Sequence, residues 1–278
     1  MISIVITTFK DLGIKKAIDS VISQKIKVPY ELVIVAPDKE TELLVKSYSK
    51  KNKKVKYFKD PGKGKSFAIN LLLRRLKGSI LIWTDGDVYL GKNAINNILK
   101  KFEDKSVGCV SGRPISLNPR STLLGYWSHL LYDIGAHLIS RKLRYEKGLF
   151  IECSGYLFAF RNNVIKSIPL DVAEDSIIPY YFWKKGYKIA YAEDSLIYVK
   201  NPTSLKDFIK QRIRTAKAHE NLTRYAPDFP RVKSFTSELI NSLKNLGLIF
   251  SYPRSFKEFI FTLLLFPIRL YIWSKVHL

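Results

Sequence analysis

The chain has 278 residues, 46% of them hydrophobic and 13% aromatic, which excludes a disordered segment and leaves room for a substantial core. Lys and Arg number 47 against 24 Asp and Glu, and the net charge of +23 implies polyanionic company: nucleic acid, an anionic membrane face or phosphorylated substrates. Two cysteines, Cys109 and Cys153, show neither Cys-x-x-Cys spacing nor a His at ligand spacing, which argues against a disulfide framework and a structural zinc site.

Met1 leads straight into the strand pattern Ile2-Ser3-Ile4-Val5-Ile6. No signal peptide is expected there, and the protein is expected at the cytoplasmic face of the cell membrane. Strand-like runs rich in Val and Ile follow at Ile2–Thr7, Glu31–Val35, Val55–Phe58 and Ser79–Trp83. Helix-like segments near 11–24, 39–51 and 65–77 separate them, with Asp11 and Pro37-Asp38 as start signals. This alternation predicts an α/β fold with a mostly parallel sheet flanked by helices. A helix near 92–103 leads to a strand at Val107–Ser111. Apolar residues at helical spacing, from Leu123 to Ile139, then predict a long helix to about residue 143 that carries His129 and His137 incidentally. Strands are expected at Phe150–Cys153, Tyr156–Phe160 and near 188–200, with a helix after Glu174. From 204 onward the pattern is helical.

The run Phe259 to Trp273 is strongly apolar, but Pro267 and Arg269 interrupt it, and it falls short of the ~20 residues a spanning helix needs. Flanking Arg254, Lys257 and Lys275, with Tyr271 and Trp273, suit a helix lying in a bilayer interface, so the C-terminal extension is expected to contact a membrane surface. Docking on the core is the competing expectation.

Four clusters carry chemistry. Ile80-Leu81-Ile82-Trp83-Thr84-Asp85-Gly86-Asp87 delivers two carboxylates to the end of an apolar strand, where open α/β sheets bind ligands. Such carboxylates suit a hard divalent cation, Mn²⁺ or Mg²⁺, that bridges to phosphate, and Gly86 lets the backbone approach a ligand. Thr7, Thr8, Phe9 and Lys10 end the first strand at the same edge. Pro61-Gly62-Lys63-Gly64-Lys65-Ser66 is a glycine-rich basic turn opening a helix, without the P-loop spacing. Glu174-Asp175 opens a helix, as a cap or as a general base. Gln211-Arg212-Ile213-Arg214 puts two guanidinium groups on a helix, where they can clamp a diphosphate.

In this order the clusters resemble inverting glycosyltransferases of family 2, with the Rossmann-like GT-A fold. Ser3 to Lys10 resembles that family's opening strand and turn, and Gly64-Lys65-Ser66-Phe67-Ala68-Ile69-Asn70 its "GKxxALN" helix start. Thr84-Asp85-Gly86-Asp87-Val88 resembles its DxD element, and Ser154 to Arg161 its acceptor-side strand. Glu174-Asp175 resembles its base motif, and Gln211 to Arg214 its basic helix. The match spans residues 1–220 as the catalytic domain and leaves 221–278 as a helical, membrane-interfacial C-terminal extension. The resemblance implies Asp87 and Asp85 as metal site, Asp85 also touching donor ribose or sugar, and Asp175 as catalytic base. Thr7, Thr8, Phe9, Asp38, Lys65, Gly86, Gln211, Arg212 and Arg214 would bind the UDP- or GDP-sugar donor. The apolar tail, the helix at 121–143 and the basic surface suggest a lipid-linked acceptor, a polyprenyl phosphate or a glycolipid. Asp38 stands about one residue away from the family's base-contacting Asp. Thr215 stands where processive members carry Trp, which argues for transfer of a single sugar.

Two other functions compete. A sugar nucleotidyltransferase needs a glycine-rich basic loop directly after the first strand, and this chain has no glycine there until Gly13. A non-catalytic polyanion binder should carry a basic stripe with interleaved aromatics; none is found, so no nucleic-acid partner is expected.

Overall fold

The computed structural model describes residues 1–11 and 13–277. The chain forms two compact units, each assembled from three segments. The first comprises Met1–Pro114, Glu152–Leu170 and Glu174–Val199; the second, Ile115–Ile151, Asp171–Ala173 and Lys200–Leu278.

The first unit is built on an eight-stranded sheet. Its elements in chain order are β1 (Ile2–Thr7), α1 (Ile14–Ile22), β2 (Tyr30–Ala36), α2 (Lys39–Lys51), β3 (Val55–Lys59), α3 (Lys65–Leu72), β4 (Ile80–Asp85), β5 (Val88–Leu90), α4 (Ala94–Lys101) and β6 (Val107–Ser116). After an excursion into the second unit come β7 (Leu157–Arg161), α7 (Glu174–Lys184) and β8 (Lys188–Val199). Strand order is β3-β2-β1-β4-β7-β6-β8-β5. The half from β3 to β4 is parallel, while β7 pairs antiparallel with both β4 and β6, and β5 antiparallel with β8. The sheet is therefore mixed, its parallel half ending at β4.

Continuous apolar runs make the central strands. Ile4, Val5 and Ile6 of β1 and Leu81, Ile82 and Trp83 of β4 are wholly buried, as strands covered on both faces must be. Helix α1 buries Ile14, Ala17, Ile18 and Val21, one helical stripe. Asp38 caps α2 by accepting from the Thr41 amide at 2.9 Å. Two polar groups inside the sheet are satisfied by each other: Ser3 Oγ donates to Glu31 at 2.7 Å, and Lys56 Nζ lies 2.7 Å from the same carboxylate. Burial alone would raise the Glu31 pKa; Lys56 and Ser3 outweigh it and hold the carboxyl below its ordinary value.

Three differences from the sequence expectation have physical reasons. No strand forms over 150–153, and the short strand β5, directly after the acidic turn, was not expected from a run of three residues. Helix α3 stops at Leu72 instead of 77, and the chain turns into Gly78.

The second unit is helical: α5 (Leu123–Leu130), a π-helix (Leu131–Lys142), α6 (Leu143–Glu146), α8 (Leu205–Glu220), a 3₁₀ turn (Asn221–Arg224), α9 (Phe235–Lys244), α10 (Leu246–Ser251) and α11 (Phe256–His277). The expected single helix thus changes to i→i+5 bonding over twelve residues, a geometry that apolar spacing does not reveal. Tyr126, Trp127, Phe208, Ile249, Leu265 and Ile272 form its core. Trp127 Nε1 donates to the Phe261 carbonyl at 2.6 Å, and Arg120 makes a two-pronged pair with Glu258 at 2.7 and 2.9 Å. These contacts seat α11. It runs unbroken through Pro267, so the expectation that the apolar run is too short is corrected: Phe256–Val276 is long and apolar enough to cross a membrane by length and composition. Arg269 does not interrupt it, because its guanidinium pairs with Glu238.

Gly78 fixes the junction of α3 and β4. A Cβ there would lie 2.2 Å from the Ser3 amide nitrogen, a backbone atom that cannot yield. Gly78→Ala should therefore destabilise the protein by about 1–3 kcal/mol, the usual cost of overpacking. Gly247→Ala, whose Cβ meets nothing within 4 Å, should be neutral or stabilising, and the two are compared by thermal melting.

Candidate active site

The chain reverses its direction of growth across the sheet between β1 and β4. Such a switch point is where open α/β sheets open a crevice at the carboxyl ends of their strands. Register places Thr7 beside Val35 on one side and beside Asp85 on the other. Since β7 runs antiparallel to β4, with Thr84 opposite Leu157, the residues leading into β7 arrive at the same edge.

Lys65, the first residue of α3, joins these parts. Its ammonium lies 2.7 Å from Asp85 Oδ1 and 3.1 Å from Glu174 Oε1, and donates to the Gly155 carbonyl at 2.7 Å. Three N–H donors thus meet three acceptors, each from a different segment. Burial would lower the pKa of Lys65, but Asp85 and Glu174 outweigh it and hold the group well above the ordinary lysine value. Glu174 shifts up, first through burial and then through its neighbours Asp175 and Asp85, against the pull of Lys65.

The acidic pair divides in two. Thr7 Oγ1 donates to Asp85 Oδ1 at 3.1 Å, so that oxygen is held from two sides. Asp87 reaches the surface. Its carboxyl titrates above the ordinary value because the surrounding protein desolvates it, and because Asp85 and Asp11 add negative charge nearby. Between the two acids, Gly86 donates its amide to the Thr7 carbonyl at 2.9 Å, and a Cβ on it would sit 2.4 Å from Thr8 Oγ1. Only glycine permits that approach.

Asp175 stands in the first turn of α7, a favourable place for negative charge, and accepts from the Gly155 amide at 3.1 Å. Gly155 therefore gives its carbonyl to Lys65 and its amide to Asp175. Asp38 accepts from Lys10 N at 3.2 Å as well as capping α2. Partial burial would raise its pKa, and the Thr41 and Lys10 bonds outweigh that and lower it. Phe9 is 66% exposed beside Thr8, whose buried hydroxyl has no hydrogen-bond partner among the described residues.

Among the candidate residues, Thr7, Lys65, Asp85, Gly86, Asp87 and Asp175 come together in the first unit, with Thr8, Phe9 and Asp38 on the neighbouring loop. Gln211, Arg212 and Arg214 lie on α8 of the second unit. Arg212 and Arg214 are two residues apart, more than half a helical turn, and do not face the same way. Arg214 is exposed, whereas Arg212 lines a cavity and stacks on Phe208 at 5.3 Å. The Gly155 carbonyl was missed from sequence; the small Ser154-Gly155 pair ahead of an apolar strand was the available signal.

Among the described residues no three acidic, His or Cys side chains converge as a metal cage. A Mg²⁺ or Mn²⁺ ion that bridges substrate phosphates needs only one or two protein carboxylates. Asp87, surface-reaching and surrounded by negative charge, fits that demand better than Asp85, whose Oδ1 is engaged by Lys65 and Thr7.

Strand order, switch point and acidic strand end define an α/β fold of the nucleotide-binding kind. The chain belongs to the family described as "Glycosyltransferase like family 2", whose model matches residues 1–218. Hyaluronan synthase of Streptococcus pyogenes is 26% identical over 168 residues, 56% of this chain and 40% of the synthase. An N-acetylglucosaminyltransferase of Rhizobium meliloti is 22% identical over 170 residues, again 56% of this chain and 39% of the relative. This chain thus spans well under half of either relative's length. The mannosyltransferase PcManGT of Pyrobaculum calidifontis, solved with GDP-Man and Mn²⁺, shares the fold at a TM-score of 0.63 and 18% identity, covering 99% of this chain and 81% of that one. TarS of S. aureus, solved with UDP-GlcNAc, matches at a TM-score of 0.55 and 15% identity over 90% of this chain and 80% of its own. The GT-A fold expected from the sequence is therefore shown.

Lys65→Met removes the one cation between Asp85 and Glu174. The expected loss is about 2–3 kcal/mol near neutral pH, below the fully buried range because solvent reaches the pair. The sign with pH follows from Glu174, whose raised pKa means that the folded state holds its proton more tightly than the unfolded chain. Its charged form therefore costs stability above the unfolded value, and more so without Lys65. The deficit of the variant should shrink as pH falls toward 4, which urea titrations at several pH values would measure.

Proposed function

We propose that this chain transfers a single sugar, with inversion, from a UDP- or GDP-sugar to a hydroxyl or phosphate of a lipid-linked acceptor. The observation that carries the reading is the convergence of Asp85, Glu174 and the Gly155 carbonyl around Lys65 at the switch point of the sheet, with Asp175 held by the Gly155 amide. In this reading residues 1–220 form the catalytic domain and 221–278 a membrane-contacting extension.

Thr7, Thr8 and Phe9 line the nucleoside pocket, Phe9 offering an exposed ring to the base and Thr8 a buried hydroxyl seeking a partner. Asp38 holds the Lys10 end of that loop against α2. Asp85, oriented by Thr7 and Lys65, faces the donor ribose or sugar, and Lys65 acts as a positioning residue because its donors are occupied. Asp87 would hold the Mn²⁺ or Mg²⁺ ion, which, when bound, offsets charge on the departing nucleoside diphosphate. Gln211 and Arg214 remain candidates for the same diphosphate. Arg212, on the same helix, lines the cavity of the helical unit.

Asp175 takes the proton from the acceptor oxygen as that oxygen bonds to the anomeric carbon, while the nucleoside diphosphate leaves from the opposite face. One displacement gives one inversion. The Gly155 amide fixes the position of the Asp175 carboxylate.

Membrane contact is supported by α11. Phe256, Phe259, Ile260, Leu263, Leu264 and Leu270 are exposed along it, with Lys257 and Lys275 near its ends and Arg254 just before it. Apolar residues beside basic ones suit the interface of an anionic, cytoplasm-facing leaflet.

The test is transfer of radiolabelled sugar from a panel of UDP- and GDP-sugars, with Mn²⁺, into organic-extractable lipid. Asp175→Asn should lower transfer by roughly 10²–10⁴-fold while donor binding persists. Asp87→Ala should lose metal-dependent donor binding as well. Transfer that survives both substitutions would overturn the assignment. In a separate assay Leu263→Glu with Leu264→Glu should release the protein from anionic vesicles; unchanged co-sedimentation would remove the membrane reading.

A further inference from the structure

The two cysteines of the chain stand 44 positions apart, and the fold brings their sulfurs to 3.4 Å. Cys109 lies in β6, and Cys153 in the segment that leads into β7. Both side chains are fully enclosed within the first unit. Cys109 and Ser111 share one face of β6, since successive side chains of a strand alternate. Each meets the incoming segment: Cys109 Sγ touches Cys153 Sγ, and Ser111 Oγ accepts from the Ser154 amide at 3.0 Å. Among the described residues no three His, Cys, Asp or Glu side chains converge, so the pair is not part of a metal cage. Sulfur chemistry is what remains.

Residues 150–153 form no strand, so the Cys153 segment lacks the continuous ladder that holds its neighbours. It is tied by separate contacts instead. The Glu152 carboxylate accepts from the Ser176 hydroxyl, the Cys153 amide donates to the Asp175 carbonyl at 2.9 Å, and Ser154 bridges to Leu157. Two residues past Cys153, Gly155 gives its carbonyl to Lys65 and its amide to Asp175. A covalent bond from Cys153 to β6 would therefore anchor the peptide from which the candidate site hangs. A disulfide holds its sulfurs about 2.05 Å apart, so closure takes a movement of about 1.4 Å, shared by two side chains.

We propose that Cys109 and Cys153 form a peroxide-sensitive dithiol, which closes to a disulfide and pins the Glu152–Gly155 segment to β6. One sulfur, as thiolate, attacks hydrogen peroxide and becomes a sulfenic acid; the hydroxide released takes up the thiol's proton as water. The neighbouring sulfur then attacks the sulfenic sulfur, and its proton leaves with the displaced hydroxyl as a second water. Two thiols thus lose two electrons and two hydrogens, and one peroxide becomes two waters. Peroxide is little larger than water, so small local openings admit it to a site closed to bulky reagents. The second thiol is already in contact with the first, and this proximity lets bridging outrun further oxidation. Bridge formation is read on the protein alone, so its failure and that of the transfer reaction are distinguishable.

The full chain, folded, is treated with hydrogen peroxide, then unfolded, alkylated and examined by peptide mass spectrometry. Mapping sets aside oxygen gained at Met1, the single methionine. The expected product is a linked pair of peptides carrying Cys109 and Cys153, about 2 Da lighter than the two reduced peptides together. Dithiothreitol should restore both thiols. Hydrogen exchange at the Cys153 and Gly155 amides should slow by roughly tenfold in the bridged form and recover on reduction. Cys109→Ser should give no link and accumulate oxygen on Cys153; Cys109→Ala serves if the serine variant melts abnormally. Sulfinic or sulfonic acid on the wild-type cysteines, or links between chains, would overturn the proposal. So would two thiols that stay reduced while Met1 is fully oxidised, or a link that forms only when peroxide follows unfolding. An unchanged exchange rate at both amides would overturn the pinning.

Discussion

Lys65 sits where burial would strip an ordinary lysine of its proton, and the acceptors around it reverse that outcome. Its ammonium holds the end of β4 through Asp85, the start of α7 through Glu174 and the approach to β7 through Gly155. These segments are far apart in sequence and would otherwise meet as a set of repelling carboxylates. The cation converts repulsion into a fixed arrangement, in which Asp85 is oriented, Asp175 is held by the same Gly155 peptide, and Asp87 stays turned to the surface. The geometry of the candidate site therefore depends on one half-buried positive charge whose own protonation the site secures.

The sheet supplies the complementary constraint. A parallel strand can only bring its carboxyl end to the ligand edge, so β1 and β4 offer Thr7 and Asp85 there. An antiparallel strand brings its amino end, and β7 thus offers the residues before Leu157. The change from parallel to antiparallel pairing at β4 is what lets Asp85 and the residues before Leu157 share an edge without a long connection. Gly78 and Gly86 permit the two close backbone approaches that this packing demands.

Much of this was legible in the sequence, for local reasons. The apolar run ending in Asp85-Gly86-Asp87, the alternation of strands with amphipathic helices, and the Asp38 cap are short-range patterns with direct physical consequences. The three-way contact of Lys65 was not legible, because two of its partners lie 90 and more residues away and depend on the direction of β7. Strand β5 was too short to signal itself. The π-helix shares its apolar spacing with an α-helix, so composition cannot separate them. Arg212 and Arg214 looked like one clamp in sequence, whereas helical geometry turns them to different surroundings. Pro267 looked like a break, but α11 continues through it.

Cys109 and Cys153 lie side by side with their sulfurs 3.4 Å apart, fully enclosed in the first unit. Burial raises the Cys109 thiol's pKa, and only a thiolate reacts readily, so this natural sulfur pair is shielded from alkylating reagents. The folded protein accordingly presents a surface without native cysteine. A single cysteine introduced on α9 or α11 would then carry a spectroscopic label without removal of either native thiol, and the environment of each helix could be followed residue by residue in the intact chain.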